Sequence, residues 1–130
     1  MIYDSILSNK KKELHEKIGS TIEGLYKENI AEYYGALSEH FLQSKNYAKT
    51  IEYSKMAGRT AQKRNAFIDA IFYAKRSVYC LERLPQTDAI QRKLIDARTT
   101  LSNYYLSLNF HVEAMETVTP IVNLAKKMEY

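Results

Sequence analysis

Apolar residues recur along this chain at helical spacing. Leu14, Ile18, Ile22 and Leu25 step by four, four and three, which puts them on one helical face. Ser8 stands in an N-cap position, so the pattern predicts a first helix over about 9–26. Ile30, Tyr34, Leu37 and Phe41 step by four, three and four and predict a second helix over 29–42. The polar stretch Gln43-Ser44-Lys45-Asn46 forms a joint, and Asn46 caps a third helix over 47–63. Ile51, Ser54, Ala57, Gly58 and Ala61 share one side of it. Arg64-Asn65 lead into a fourth helix over 66–83, carrying Phe67, Ala70, Ile71, Ala74 and Val78.

Leu84-Pro85-Gln86-Thr87 is the clearest break. Pro85 removes a backbone donor and restricts Leu84, so the fourth helix stops there. Asp88 with Gln91 resembles a capping box and opens a fifth helix running to about 108. After Asn109-Phe110, a sixth helix runs from His111 towards Met128. Pro120 lies inside it, and Thr119 can act as an N-cap there, so a kink or restart is expected at 119–120. Joints this short make neighbouring helices antiparallel. The expectation is all-α: three stacked hairpins, in either a bundle or a solenoid.

Composition narrows the field. Only 4 Gly and 2 Pro occur in 130 residues, too few breakers for a β-sandwich or a glycine-rich phosphate loop. A chain of this length makes one domain, residues 1–130, with a sufficient core of its own. The single cysteine, Cys80, rules out an internal disulfide and reads as a buried, reduced thiol. The start lacks a signal-peptide pattern, and no apolar run is long enough to cross a membrane. A soluble, cytoplasmic chain is expected.

Large residues that fill the space between paired helices, and small ones that let them approach, recur in three copies. Tyr34-x2-Leu37-Ser38-x2-Phe41 is followed by Thr50-x3-Ser54. Ser54-x2-Ala57-Gly58-x2-Ala61 is followed by Ala70-x3-Ala74. Arg98-x2-Leu101-Ser102-x2-Tyr105 is followed by Ala114-x3-Val118. At these residues the chain resembles the tetratricopeptide repeat (TPR) family. Tyr34, Ser54 and Arg98 occupy the motif's Trp places, and Gly58 is expected to mark a close helix crossing. The first copy overlaps the second, but copies two and three share a phase. Helices one and two, three and four, and five and six are therefore paired. The resemblance implies a right-handed α-solenoid of about six antiparallel helices, whose concave groove is lined by the first helix of each hairpin.

A wider likeness rests on Tyr3-Asp4-Ser5-Ile6-Leu7, on 11–19, on Leu37-Ser38-Glu39-His40-Phe41, on 46–53 continuing to Ala57-Gly58, and on 80–85. Over residues 3–128 the order is similar to the C-terminal TPR region of bacterial adenylate or guanylate cyclase-linked ATPases. It implies a piece of a larger signalling protein whose catalytic domains lie upstream.

No hydrolase, zinc-protease or P-loop motif is present. His111-x-Glu113 lacks the cysteine pair of a deaminase. His15 and His40 lie on different helices and read as packing or surface residues. No enzyme, metal or cofactor is expected. Charge is what changes the picture. The formal net charge of +4 divides into −2 over 1–44, +6 over 45–87 and 0 over 88–130. Lys55, Arg59 and Lys63 repeat every four residues as one stripe, at places that the TPR resemblance puts in the groove. The matching places on the fifth helix are Asp96, Thr99, Asn103 and Leu106.

Candidate partner-binding residues are therefore Lys55, Arg59, Lys63, Asp96 and Asn103. The partner would be a protein or peptide, with an acidic one favoured, or another domain of the same chain. The stripe can equally be a solvated face. Two rival readings are nucleic-acid binding through 45–87 and a structural or self-associating spacer. The chain lacks a helix-turn-helix and stacking modules, which argues against nucleic acid. In the pairs Tyr33-Tyr34 and Tyr104-Tyr105, neighbours point about 100° apart on a helix. Tyr34 and Tyr105 are assigned to the core, with Tyr33 and Tyr104 partly exposed.

Overall fold

The computed structural model describes residues 2–130. It holds six helices: α1 (Ile2–Leu25), α2 (Tyr34–Gln43), α3 (Tyr47–Lys63), α4 (Phe67–Arg83), α5 (Asp88–Ser107) and α6 (His111–Lys127). A 3₁₀ segment, Lys27–Tyr33, joins α1 to α2. Strands are absent among the described residues.

Three joints share one backbone solution. After α2, the amides of Lys45 and Asn46 reach back to the carbonyls of Leu42 and Phe41 at 3.0 and 2.9 Å. After α3, Asn65 and Ala66 reach Gln62 and Ala61; after α5, Asn109 and Phe110 reach Leu106 and Tyr105. These are Schellman closures. The left-handed residue in each is Lys45 (φ 61°), Asn65 (58°) or Asn109 (61°), not glycine. The next helix starts two residues later, so each turn reverses the chain at once. This is how so few glycines suffice. The Asn46 side chain accepts from the Lys49 amide at 3.3 Å, as the sequence predicts. At the Pro85 break the cap is Thr87, which accepts from the Ile90 amide at 3.2 Å; Asp88 is already inside α5.

Several boundaries depart from expectation. Ser8 is inside α1, not at its start, because nothing between Ile2 and Ser8 breaks a helix. Residues 29–33 belong to the 3₁₀ segment, where Asn29 departs from helical backbone (φ −128°). Pro120 does not restart α6. The helix runs through it, and Thr119 Oγ1 donates to the Met115 carbonyl at 2.7 Å instead of capping. Pro120 is exposed, so its ring meets solvent on the outer face.

The principal packing is between consecutive helices, from α1 on α2 through to α5 on α6. The apolar core forms two clusters. One gathers Ala70, Ile71, Val78, Leu101, Tyr105 and Ala114 from α4, α5 and α6. The other joins Leu37, Phe41 and Tyr53, flanked by Ile22 and Ile30. Between them, fully buried Ser38 and Ser54 share a hydrogen bond of 2.8 Å, and Arg76 donates to Ser38 at 3.0 Å. Paired in this way, the two buried hydroxyls offset the cost of leaving water.

The hairpins α3/α4 and α5/α6 meet at equivalent points. Ser102 Oγ donates to the Ala114 carbonyl at 3.0 Å. A Cβ on Gly58 would stand 3.7 Å from the carbonyl of Ala70, the residue at the same separation on α4. That is ordinary contact, so the crossing at Gly58 has room for an alanine. The tight places are Gly19 on α1, where a Cβ would stand 2.6 Å from the Phe41 ring, and Gly35 on α2, where it would stand 2.6 Å from the Tyr73 hydroxyl. Tyr104 also corrects expectation: it is buried along with Tyr105. Because α5 packs against both α4 and α6, faces 100° apart are covered at once.

Only part of α1's apolar face is used. Ile18 and Ile22 are half-buried, but Leu14 and Leu25 are exposed. Polar contacts supply much of the docking. Glu16 accepts from Ser44 at 2.7 Å and from Asn46 at 2.9 Å, and Glu23 accepts from Lys49 at 2.7 Å and from Tyr53. Burial would raise the Glu23 carboxyl, but the hydrogen bonds from Lys49 and Tyr53 and the Lys49 charge hold it below its ordinary range. Burial, followed by the Glu23 carboxylate, pushes the Tyr53 hydroxyl up.

Candidate functional site: a basic groove between α3 and α5

A groove of about 830 Å³ opens between α3 and α5. Short side chains build it. Ala48 and Ser54 on α3 and Ala97 on α5 hold the walls apart, and Ala74, Ser77 and Leu81 of α4 form the floor. Above this floor stand three cations: Lys55 and Arg59 on α3, one helical turn apart, and Lys93 on α5. None of the three forms an ion pair among the described residues, whose ion pairs are Lys49–Glu23, Arg76–Glu39 and Arg98–Glu82. The groove also carries Glu52 and Asp96. Asp96 is engaged: the Tyr130 hydroxyl donates to its two oxygens at 2.9 and 2.8 Å. That hydrogen bond leaves the Asp96 charge in place, so the lining carries three cations against two carboxylates, a small positive excess.

Two further groups face this space. Tyr104 lines it, and burial raises its hydroxyl, an effect that the nearby Arg59 charge opposes. Ser77 Oγ is the one buried side-chain nitrogen or oxygen without a hydrogen-bond partner among the described residues.

The groove gathers three of the five candidate residues, Lys55, Arg59 and Asp96. Lys63 continues the α3 stripe but lies exposed beyond the cavity, and Asn103 is exposed outside it. Sequence reasoning missed Lys93, Ser77 and Tyr104. Spacing from Asp96 offers a signal for two of these, since 93, 96, 100 and 104 recur at three- and four-residue steps on one face of α5. Ser77 carries no comparable signal.

Elsewhere, His15 and His40, on different helices, pack against each other. Their Nδ1 atoms are 2.9 Å apart, so one donates and the other accepts, and the pair ties α1 to α2. No cluster of three or more His, Cys, Asp or Glu able to hold a metal occurs among the described residues. Cys80 is fully buried, and burial pushes its thiol up to about 11 against the opposing charges of Arg76 and Arg83. It is therefore protonated and unreactive at neutral pH. Among the described residues, no helix is long and apolar enough to cross a membrane.

No family model matches the chain, and no curated protein or solved structure matches it either.

Proposed function

We propose that this chain is a non-catalytic scaffold: a right-handed, TPR-like solenoid that binds a protein or peptide segment in the groove between α3 and α5. The observation that carries this reading is the trio of unpaired cations, Lys55, Arg59 and Lys93, around one groove floored by Ala74, Ser77 and Leu81. Fixed positive charge there attracts an acidic segment and favours it over neutral competitors. Two features of the fold support the solenoid: packing between consecutive helices and a core in two clusters. The scaffold belongs to a cytoplasmic bacterial signalling protein, a placement resting on the family resemblance and suited by the buried, protonated Cys80.

The test is fluorescence anisotropy with a labelled oligoglutamate peptide. The double variant Lys55→Glu, Arg59→Glu is expected to lose binding while its helicity by circular dichroism stays unchanged. Undiminished binding by the double variant at moderate salt overturns the groove. Preferential capture of an oligonucleotide by the wild-type chain, with a steep salt dependence, would favour nucleic acid instead.

A further inference from the structure

Several helical hydroxyls here bond back along their own helix. Thr50, Thr60, Thr99, Ser107, Thr117 and Thr119 each donate to the carbonyl one turn back. Ser77, only 7% exposed, does not make that bond, and its Oγ is left without a partner. It lies in the groove floor between Ala74 and Leu81, one turn away on either side, beneath walls that carry Lys55, Arg59 and Lys93. Buried hydroxyls are rarely left unpaired, because desolvation without a bond is unfavourable.

We infer that Ser77 is an anchor. The groove takes an acidic peptide segment, and one aspartate or glutamate side chain of that segment enters the cavity. Ser77 Oγ, closed off in the free protein, turns about its Cα–Cβ bond to donate to that carboxylate, and the three cations stand around its charge. This rests on the groove being a peptide site. It adds which chemical group is read, and where. The groove favours an anion by a modest margin: three cations stand against the carboxylates of Glu52 and Asp96, and the unpartnered Ser77 hydroxyl can donate. The floor of Ala74 and Leu81 suits the aliphatic stem of such a side chain. A hydrogen bond from a hydroxyl to a carboxylate in a partly desolvated site is stronger than one between neutral partners.

The experiment compares labelled oligoglutamate and oligoglutamine peptides on the wild-type protein, Ser77→Ala, and the double variant Lys55→Glu, Arg59→Glu. Wild type is expected to prefer oligoglutamate. Ser77→Ala is expected to weaken that binding by about tenfold, the loss typical of one hydrogen bond to a charged group, while oligoglutamine is unaffected. Circular dichroism and thermal unfolding check that Ser77→Ala remains folded. A Ser77→Ala protein that binds oligoglutamate as tightly as wild type overturns the anchor and leaves the groove standing. Equal wild-type affinity for the two peptides also overturns it. Failure of the groove itself has a different signature: the charge-reversed double variant then binds oligoglutamate as well as wild type does.

Discussion

Gly19 and Phe41 meet so closely that the α1 backbone rests against the edge of the aromatic ring. A methyl group on Gly19 would stand 2.6 Å from Cζ and 2.8 Å from Cε1. Phe41 is completely buried, stacked on Tyr53 with ring centroids 5.9 Å apart, so it has little room to withdraw. The first helix is docked through this contact, the His15–His40 pair and the glutamates Glu16 and Glu23.

Gly19→Ala should therefore destabilise the protein. Overpacking of this kind costs about 1–3 kcal/mol, which exceeds the roughly 1 kcal/mol that alanine gains in helix propensity. Gly58→Ala has the opposite expectation. Its Cβ would meet Tyr73 Cβ at 3.6 Å and the Ala70 carbonyl at 3.7 Å, both ordinary contacts, so the propensity gain of about 0.5–1 kcal/mol remains. Urea unfolding of the two variants checks the contrast. A stabilised Gly19→Ala would contradict the packing described.

Acid should release α1. The Glu23 carboxyl is held below its ordinary range by Lys49 and Tyr53 despite burial, so it is bound to fewer protons folded than unfolded. Its contribution is fully present above the ordinary carboxylate pKa of about 4.3 and is lost as pH falls through the lower folded value. The protection of α1 amides against exchange, relative to the intrinsic rate at each pH, is expected to fall over that acid window ahead of that in α4. In Glu23→Gln that part of the pH dependence should disappear. An unchanged acid profile in Glu23→Gln would show that other groups hold α1.

Ser77→Ala should stabilise the free protein even as it weakens binding. The substitution removes an unpaired buried hydroxyl and installs a better helix former, worth together about 1 kcal/mol in chemical unfolding. A destabilised Ser77→Ala would mean that its hydroxyl is satisfied in the free protein.

Most of the helical order is legible in the residues. Apolar steps of three and four residues mark the helices, and Asn46 and Pro85 mark two of their joints. Other features depend on tertiary contact. Ser8 has the chemistry of a cap, but nothing before it stops the helix, so α1 begins at Ile2. Lys45 takes the left-handed closing position that Asn65 and Asn109 fill elsewhere, and lysine gives no warning of it. Tyr104 is covered because α5 has neighbours on two sides, which its own periodicity does not reveal. The site divides in the same way. Lys55 and Arg59 share a face because they sit four residues apart on one helix. Which α5 residues oppose them depends on how α3 and α5 are placed across α4, so Lys93 faces the groove and Asn103 does not.

The most direct measurement is a backbone-amide NMR titration of the isotope-labelled protein with oligoglutamate. Shifts are expected to concentrate at Lys55, Arg59, Ser77, Lys93 and Tyr104, with Lys63, Asn103 and the outer face of α6 left nearly unmoved. Shifts spread evenly over all the lysines and arginines, or gathered away from the groove between α3 and α5, would contradict binding in that groove.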